Sequence, residues 1–343
     1  MKRRKAMKKV LIFVLFLTLV ASFGLFATGA AEVKSPSNEV TLYYSHSADW
    51  TDPLIKEFQD RTGIKVNLVG APTGELVARI RAEKDNPLGD LLWGGGSDSY
   101  QVIIDLLEPY EHAHMNKVLA ETRDPGNRWH GTSIDPMVIV YNPKLVSEKD
   151  APKGWGDLLN PIFKGRIAHA DPVRSGSAFM ALVIQLFTMG GDNEVGWKYI
   201  SDFVDNLERK VVGSSTLGFK GPADGEYLVG IAYEEGALRY VHSGANLKVV
   251  YPIEGSSKVP SPIAIIKNGK NTENAKKFVD FILSADVQSK LGDVHRRAVR
   301  SDVQLPEYMT PNEKLGDFYW DTVWIGENKD RLLNKWKDLI IGK

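Results

Sequence analysis

The chain has 343 residues, 43% hydrophobic and 25% charged, an ordinary globular composition with length for about two domains. It contains no cysteine, which excludes disulfides, thiolate nucleophiles, cysteine-ligated zinc and iron–sulfur clusters. The formal charge is zero, but residues 1–30 hold six of the 43 basic residues and none of the 43 acidic ones, so the remainder carries −6 and is a poor nucleic-acid binder.

The chain opens on a basic stretch, MKRRKAMKK, followed by an apolar core from Val10 to Val20 and small residues in FATGAAEV. This is the pattern of a secretory signal peptide over 1–30, cleaved near residues 30–31. An uncleaved anchor is the alternative, since the apolar run to Phe26 is marginal for a membrane span. No cysteine follows to carry a lipid. The mature product is expected to be soluble, periplasmic and monomeric.

EVTLYY alternates as a strand and breaks at Ser45-His46-Ser47. A helix follows from about Asp52, with Leu54, Ile55 and Phe58 on one face. GIKVNLVGAP is a second strand, and TGELVARIRAEKD a helix with Thr73 as its candidate cap. GDLLWGGGSDS is a third strand ending in three glycines, and SYQVIIDLLEPY a short helix. This β-α alternation predicts a parallel sheet flanked by helices. WHGTSIDPMVIVYNPK is extended, and APKGWGDLLNPIFKGRIAHADP supplies a turn, a short helix and a strand. DPVRSGSAFMALVIQLF starts a helix at Ser175, and NEVGWKYISDFVDNL is a second, amphipathic one. KVVGSST is expected as a strand ending in hydroxyls, and Val229 to Tyr233 as another strand before a short helix. LKVVYP and SPIAIIKNG are strands flanking a Pro/Ser/Gly-rich connection, and the rest is helical: 272–284, 286–292 and about 330–340. The chain thus forms two α/β units and crosses between them near 131–142 and 250–264. The expected lobes are 38–134 plus 262–343, and 135–261, with the helical C-terminus packed on the first.

Four segments share one position, where a strand gives way to small, hydroxylated or glycine residues before a helix. They are Ser45-His46-Ser47, Gly94-Gly95-Gly96-Ser97, Ser175-Gly176-Ser177 and Gly213-Ser214-Ser215-Thr216. In open α/β sheets, ligands bind beyond the carboxyl ends of strands, where free N–H groups favour an anion. Each segment alone reads equally well as a cap, a tight turn or a surface loop; together they point to one cleft site. Tyr233 and Glu234 end another strand, so Glu234 is a candidate for a ligand ammonium or hydroxyl. His112-x-His114 lacks a third metal ligand nearby. Nucleophile-elbow, zincin, Walker A and dinucleotide motifs are missing, and neither an enzyme nor a cofactor is expected.

These residues, with RIRAEKDNPLGDLLWGGG, WGDLLNPIFKGRIAHADPVRSGSA, ADGEYLVGIAYEEGA and VVYPIEGSSKVPSPIAIIKNGKNTENAKKFVDFILS, resemble the extracellular solute-binding proteins of ABC importers. More narrowly, the chain is similar to the cluster of ferric-ion, 2-aminoethylphosphonate and hexose-phosphate binding proteins. The resemblance covers nearly all of the mature chain. It implies an α/β, two-lobed type II periplasmic-binding-protein fold, with a mixed, mostly parallel sheet in each lobe, two hinge crossings and a helical C-terminus. It also implies capture of a small solute by hinge closure and delivery to a permease with its ATPase.

The expected ligand-binding set is Ser45, His46, Gly95, Gly96, Ser97, Ser175, Gly176, Ser177, Ser214, Ser215, Tyr233 and Glu234. Ferric members of that cluster use two neighbouring tyrosines where this chain reads IAYEEGA, with Tyr233 alone. The glycine and serine turns suit a phosphonate or sugar phosphate, which needs many neutral donors. Ferric ion is the alternative, with His46 and Glu234 as its hooks. An exported hydrolase and a sensory binding subunit are the readings of other classes.

Overall fold

The structure, a computed structural model, describes residues 38–342 apart from Ser47, Asp317 and Tyr319. The proposed signal peptide and Ser47 therefore lie outside the described residues. The first sheet has the strand order β2-β1-β3-β10-β4, with β5 also paired to β10. These strands are β1 (Glu39–Tyr44), β2 (Lys65–Gly70), β3 (Leu91–Trp93), β4 (Leu107–Glu108), β5 (His130–Ile134) and β10 (Pro260–Ile266). The sheet is buried on both faces. Val40, Leu42, Leu91, Trp93, Ile263 and Ile265 face one apolar cluster, and Tyr43, Leu92, Ala264 and Ile266 the other. That alternation is the period-2 signal of the sequence. Helices α1 (Ala48–Thr62) and α2 (Thr73–Ala82) connect the parallel strands, and α3 (Ser97–Gln101) follows β3.

The second sheet has the order β7-β8-β6-β9: β6 (Met137–Tyr141), β7 (Ile167–Ala168), β8 (Val229–Tyr233) and β9 (Lys248–Val250). Met137, Ile139, Val229 and Ile231 pack under α4 (Gly176–Thr188) and α5 (Glu194–Asn206). Val138, Val140 and Ala232 face the other side, beside α6 (Leu217–Asp224) and α7 (Glu234–His242). Both sheets are mixed. The parallel pairs are β1–β2, β1–β3 and β7–β8, whereas β10 and β6, the strands that follow the crossings, run against every strand they pair. The expected strand at KVVGSST is only an isolated parallel bridge from Val212 to Ala170.

The two crossings are laced together. Asp135 N–H donates to Val259 O at 2.9 Å, Met137 N–H to Ser256 Oγ at 3.0 Å, and Ser256 Oγ–H to Met137 O at 2.6 Å. Helices α8 (Thr272–Ile282) and α9 (Ala285–Ser289) return to the first sheet, where Phe278 and Val279 join its core. The last helix, α10 (Thr322–Ile341), does not follow them. Its Ile325, Leu332 and Trp336 are buried in the core of the second sheet, while Lys329 pairs with Asp98 at 2.6 Å on α3. The C-terminal helix therefore bridges the two units, held to α3 of the first through Thr322 and Lys329 and seated in the core of the second by its apolar stripe. Among the described residues no helix is long and apolar enough to cross a membrane.

Candidate functional site

The registers decide where the predicted turns lie. Tyr44 sits beside Trp93 in parallel strands, so Ser45-His46 and Gly94–Gly96 leave the first sheet at one end. β10 runs against β3 with Ile263 beside Trp93, so the second crossing enters the sheet at that same end. In the second sheet Tyr233 lies beside Met137, where the first crossing enters. Ala168 pairs with Gly230, and Ala170 bridges Val212, both in parallel. The segments leading to Ser175 and to Ser214-Ser215 therefore leave at the end that holds Tyr233. All these turns open toward the crossings, at carboxyl ends of strands.

His46 is the centre of the first-sheet side. Its ring meets Trp50 edge-on at 4.7 Å and Trp93 at 5.2 Å, and a ring nitrogen lies 3.3 Å from Ser261 Oγ. Burial, reinforced by the charge of Arg296, holds its pKa well below the ordinary value, so the imidazole is neutral, with one donor and one acceptor. Ser45 Oγ accepts from Thr73 Oγ at 3.0 Å, so Thr73 is not the expected helix cap: Pro72 takes that position. Gly94 and Gly95 have φ of +105° and +82°. A side chain on Gly94 would strike Ser45 Oγ at 2.8 Å, and one on Gly95 would strike Thr73 at 2.5 Å. Glycine is required there by backbone conformation as well as by packing.

Arg296 lies beside His46. Its guanidinium stands 4.2 Å from the centre of the Trp50 ring and donates to Asp135 at 2.9 Å and Ser133 Oγ at 3.1 Å. The side chain is 7% exposed, and its Nε–H is buried with no partner among the described residues. Glu235 stands 3.9 Å from it and 3.0 Å from Arg239, which in turn lies 3.9 Å from Asp49 of the other lobe. Tyr233 is half-buried here; its pKa is raised by burial and by Glu235.

The remaining predicted residues divide. Ser175 caps α4, accepting from Ala178 N–H at 3.2 Å, and lies 3.2 Å from Ser177 Oγ. Gly176, Ser214 and Ser215 are at least partly exposed, in their turns. Gly96 faces the second turn of α4, with Met180 about one van der Waals contact away, 4.0 Å from where a Cβ would stand. Ser97 turns away: it is buried, 2.9 Å from Thr322 Oγ on α10. Glu234 is 1% exposed, and both its oxygens accept from Arg297 at 2.7 Å, so its carboxylate is already committed. It is not available to a ligand ammonium as the sequence reading expected, because an arginine 63 residues later in the chain reaches it first.

Trp50, Arg296, Glu235, Arg239 and Ser261 are not marked in the sequence, because none of them belongs to a glycine- or hydroxyl-rich turn after a strand. One signal was present. HRRAVR places three arginines around Ala298 and Val299, a context in which charges are retained only if paired or used.

Two mixed sheets and two laced crossings, with polar turns opening toward them, define a two-lobed α/β protein. Residues 102–324 match the bacterial extracellular solute-binding protein family, and the chain belongs to that family. Among solved structures, the periplasmic binding protein AfuA from Actinobacillus pleuropneumoniae, with fructose-6-phosphate bound, is similar with 26% identity and a TM-score of 0.79, over 88% of this chain and 98% of that one. A periplasmic protein of Salmonella typhimurium, provisionally named for binding 2-aminoethylphosphonate, is 26% identical over 84% of this chain and 86% of its own. The major ferric iron-binding protein of Neisseria meningitidis is 25% identical over 81% and 84%. The type II periplasmic-binding-protein fold and the solute-binding role expected from the sequence are borne out.

Proposed function

We propose that this chain is the periplasmic capture subunit of an ABC importer, and that it hands a small organic phosphate or phosphonate to a permease and its ATPase. The observation that carries the ligand class is Arg296, a buried guanidinium beside neutral His46 whose Nε–H has no partner among the described residues. Asp135 takes part of this guanidinium's charge, and the donor left over favours an anionic acceptor, since phosphoryl oxygens accept arginine N–H groups well. Ser261, Thr216, Ser175 and Ser177 supply the neutral hydroxyls that such a group needs. Glu235 accepts from Arg239 through Oε1 only, and its Oε2, 3.9 Å from Arg296, suits an ammonium or sugar hydroxyl at the other end of the solute.

The relatives named for these ligands support this reading, and the ferric relative supports its rival. Ferric ion takes hard anionic oxygens, and here the rival loses its carboxylate, since Glu234 is held by Arg297. Calorimetric titration of unfolded-and-refolded mature protein tests the proposal. Micromolar or tighter binding of 2-aminoethylphosphonate or fructose-6-phosphate is expected. Silence with both, together with a visible charge-transfer band on adding ferric citrate, sinks it.

A further inference from the structure

Glu234 and Arg297 form a buried ion pair, 2% and 0% exposed at their side chains. Taking two charges out of water costs several kcal/mol per ion, and such pairs add little net stability compared with apolar residues. The pair's placement is more telling than its strength. Arg297 bridges Ile134 by its backbone, with Ile134 N–H donating to Arg297 O at 3.1 Å at the start of the first crossing. Glu234 N–H donates to Pro136 O at 2.9 Å in the same crossing. Tyr251, where the second crossing begins, donates its hydroxyl to Glu234 Oε1. Arg297 Nη1 donates to Asn312 at 2.7 Å, in the segment that leads to α10. His295, two residues earlier, holds a left-handed backbone with φ of +61°, a conformation that costs a non-glycine residue energy.

One ion pair thus touches both crossings, the lead-in to the C-terminal helix and the first turn of α7. It also lies between two residues of the cleft: Arg296 precedes Arg297, and Glu235 follows Glu234. We infer that Glu234 and Arg297 are the positioning pair of the hinge, fastening both crossings to α7 and so setting the path along which the lobes close. Neither side chain touches the solute. The inference rests on solute capture by lobe closure and not on which solute is captured.

The absence of cysteine makes the test direct. Leu68→Cys and Leu145→Cys place one spin label beside each sheet, at side chains 42% and 48% exposed. Pulsed electron resonance then reads the distribution of inter-lobe distances in ligand-free protein. Glu234→Gln/Arg297→Met removes both charges together, which avoids stranding a buried one. The variant is expected to fold, to at least double the width of that distribution, and to bind 2-aminoethylphosphonate or fructose-6-phosphate at least tenfold more weakly. Arg297→Lys keeps the charge but loses the fork, and is expected to lie between parent and double variant. It also serves as the test if the double variant does not fold. A folded variant with the parental width overturns the inference. Because width is read without ligand, failure of either probe to bind the parent bears on the proposed solute and leaves this comparison intact.

Discussion

Among single residues, Arg296 carries the recognition of the anion. Losing a charge-assisted hydrogen bond removes about 1.5–3 kcal/mol, or roughly 10- to 100-fold in affinity. Arg296→Met should therefore weaken solute binding by that factor in a calorimetric titration, and Arg296→Lys should restore only part of it. Ser175 has two roles to separate. Its cap on α4 is worth about 1 kcal/mol of stability, and alanine at both Ser175 and Ser177 should cost more affinity than that. Equal losses in the two measurements would return this turn to a plain cap.

Histidine chemistry gives a second residue-scale prediction. Burial pushes His112 down to about 3, His130 to about 4 and His169 to about 3, with neighbouring charges adding to the effect at His112. His130 has both ring nitrogens buried without partners among the described residues, and His112 and His169 one each. In the unfolded chain each titrates near 6.5, so the unfolded state takes up protons first as pH falls. Stability contributed by keeping these rings neutral is present in full above about pH 6.5 and is lost as pH falls toward 4 and below. The loss is on the order of 2 kcal/mol for each histidine at pH 5. Urea midpoints measured from pH 7.5 to 4.5 should fall steeply below 6.5; a flat profile would contradict the burial of these rings.

At the scale of elements, the sequence was most readable where alternation or a helical stripe ran uninterrupted. β1, β3, β6, β8 and β10 lie where their patterns predicted, as do α4 with its Ser175 cap and α5 with its Trp197, Ile200 and Phe203 face. Helix α6 is hidden in the sequence because Gly218, Gly221 and Pro222 are poor helix formers. Those glycines exist for contact. A side chain on Gly218 would strike Ile231 O at 2.1 Å, and one on Gly230 would strike Gly218 O at 1.9 Å, so helix and strand meet glycine to glycine. The position of α10 was also unreadable, because its partners lie more than a hundred residues away in sequence. Trp336, 1% exposed and edge-on to His169 at 5.6 Å, is its anchor. Trp336→Ala should cost about 3–5 kcal/mol in chemical denaturation. A cost below 1 kcal/mol would mean that the helix is not seated on the second unit.

At the scale of the whole molecule, the two-unit plan and both crossings were legible from the order of strands and helices. The site was legible only in outline. The turn residues marked which ends of the sheets face the crossings, but the charged groups between them come from segments far apart in the chain. Glu234 shows the limit most clearly. Its position after a strand suggested a ligand group, and only the fold reveals that Arg297 occupies it. On the proposed function, an anionic phosphoryl or phosphonyl group sits against Arg296 when the lobes close. The most direct measurement is a crystal structure of protein purified from its native source without refolding, with anomalous data at a wavelength sensitive to phosphorus. The account predicts a phosphorus peak in the cleft within hydrogen-bonding reach of Arg296 and His46. An iron peak ligated by Tyr233, with Arg296 still unoccupied, would contradict it.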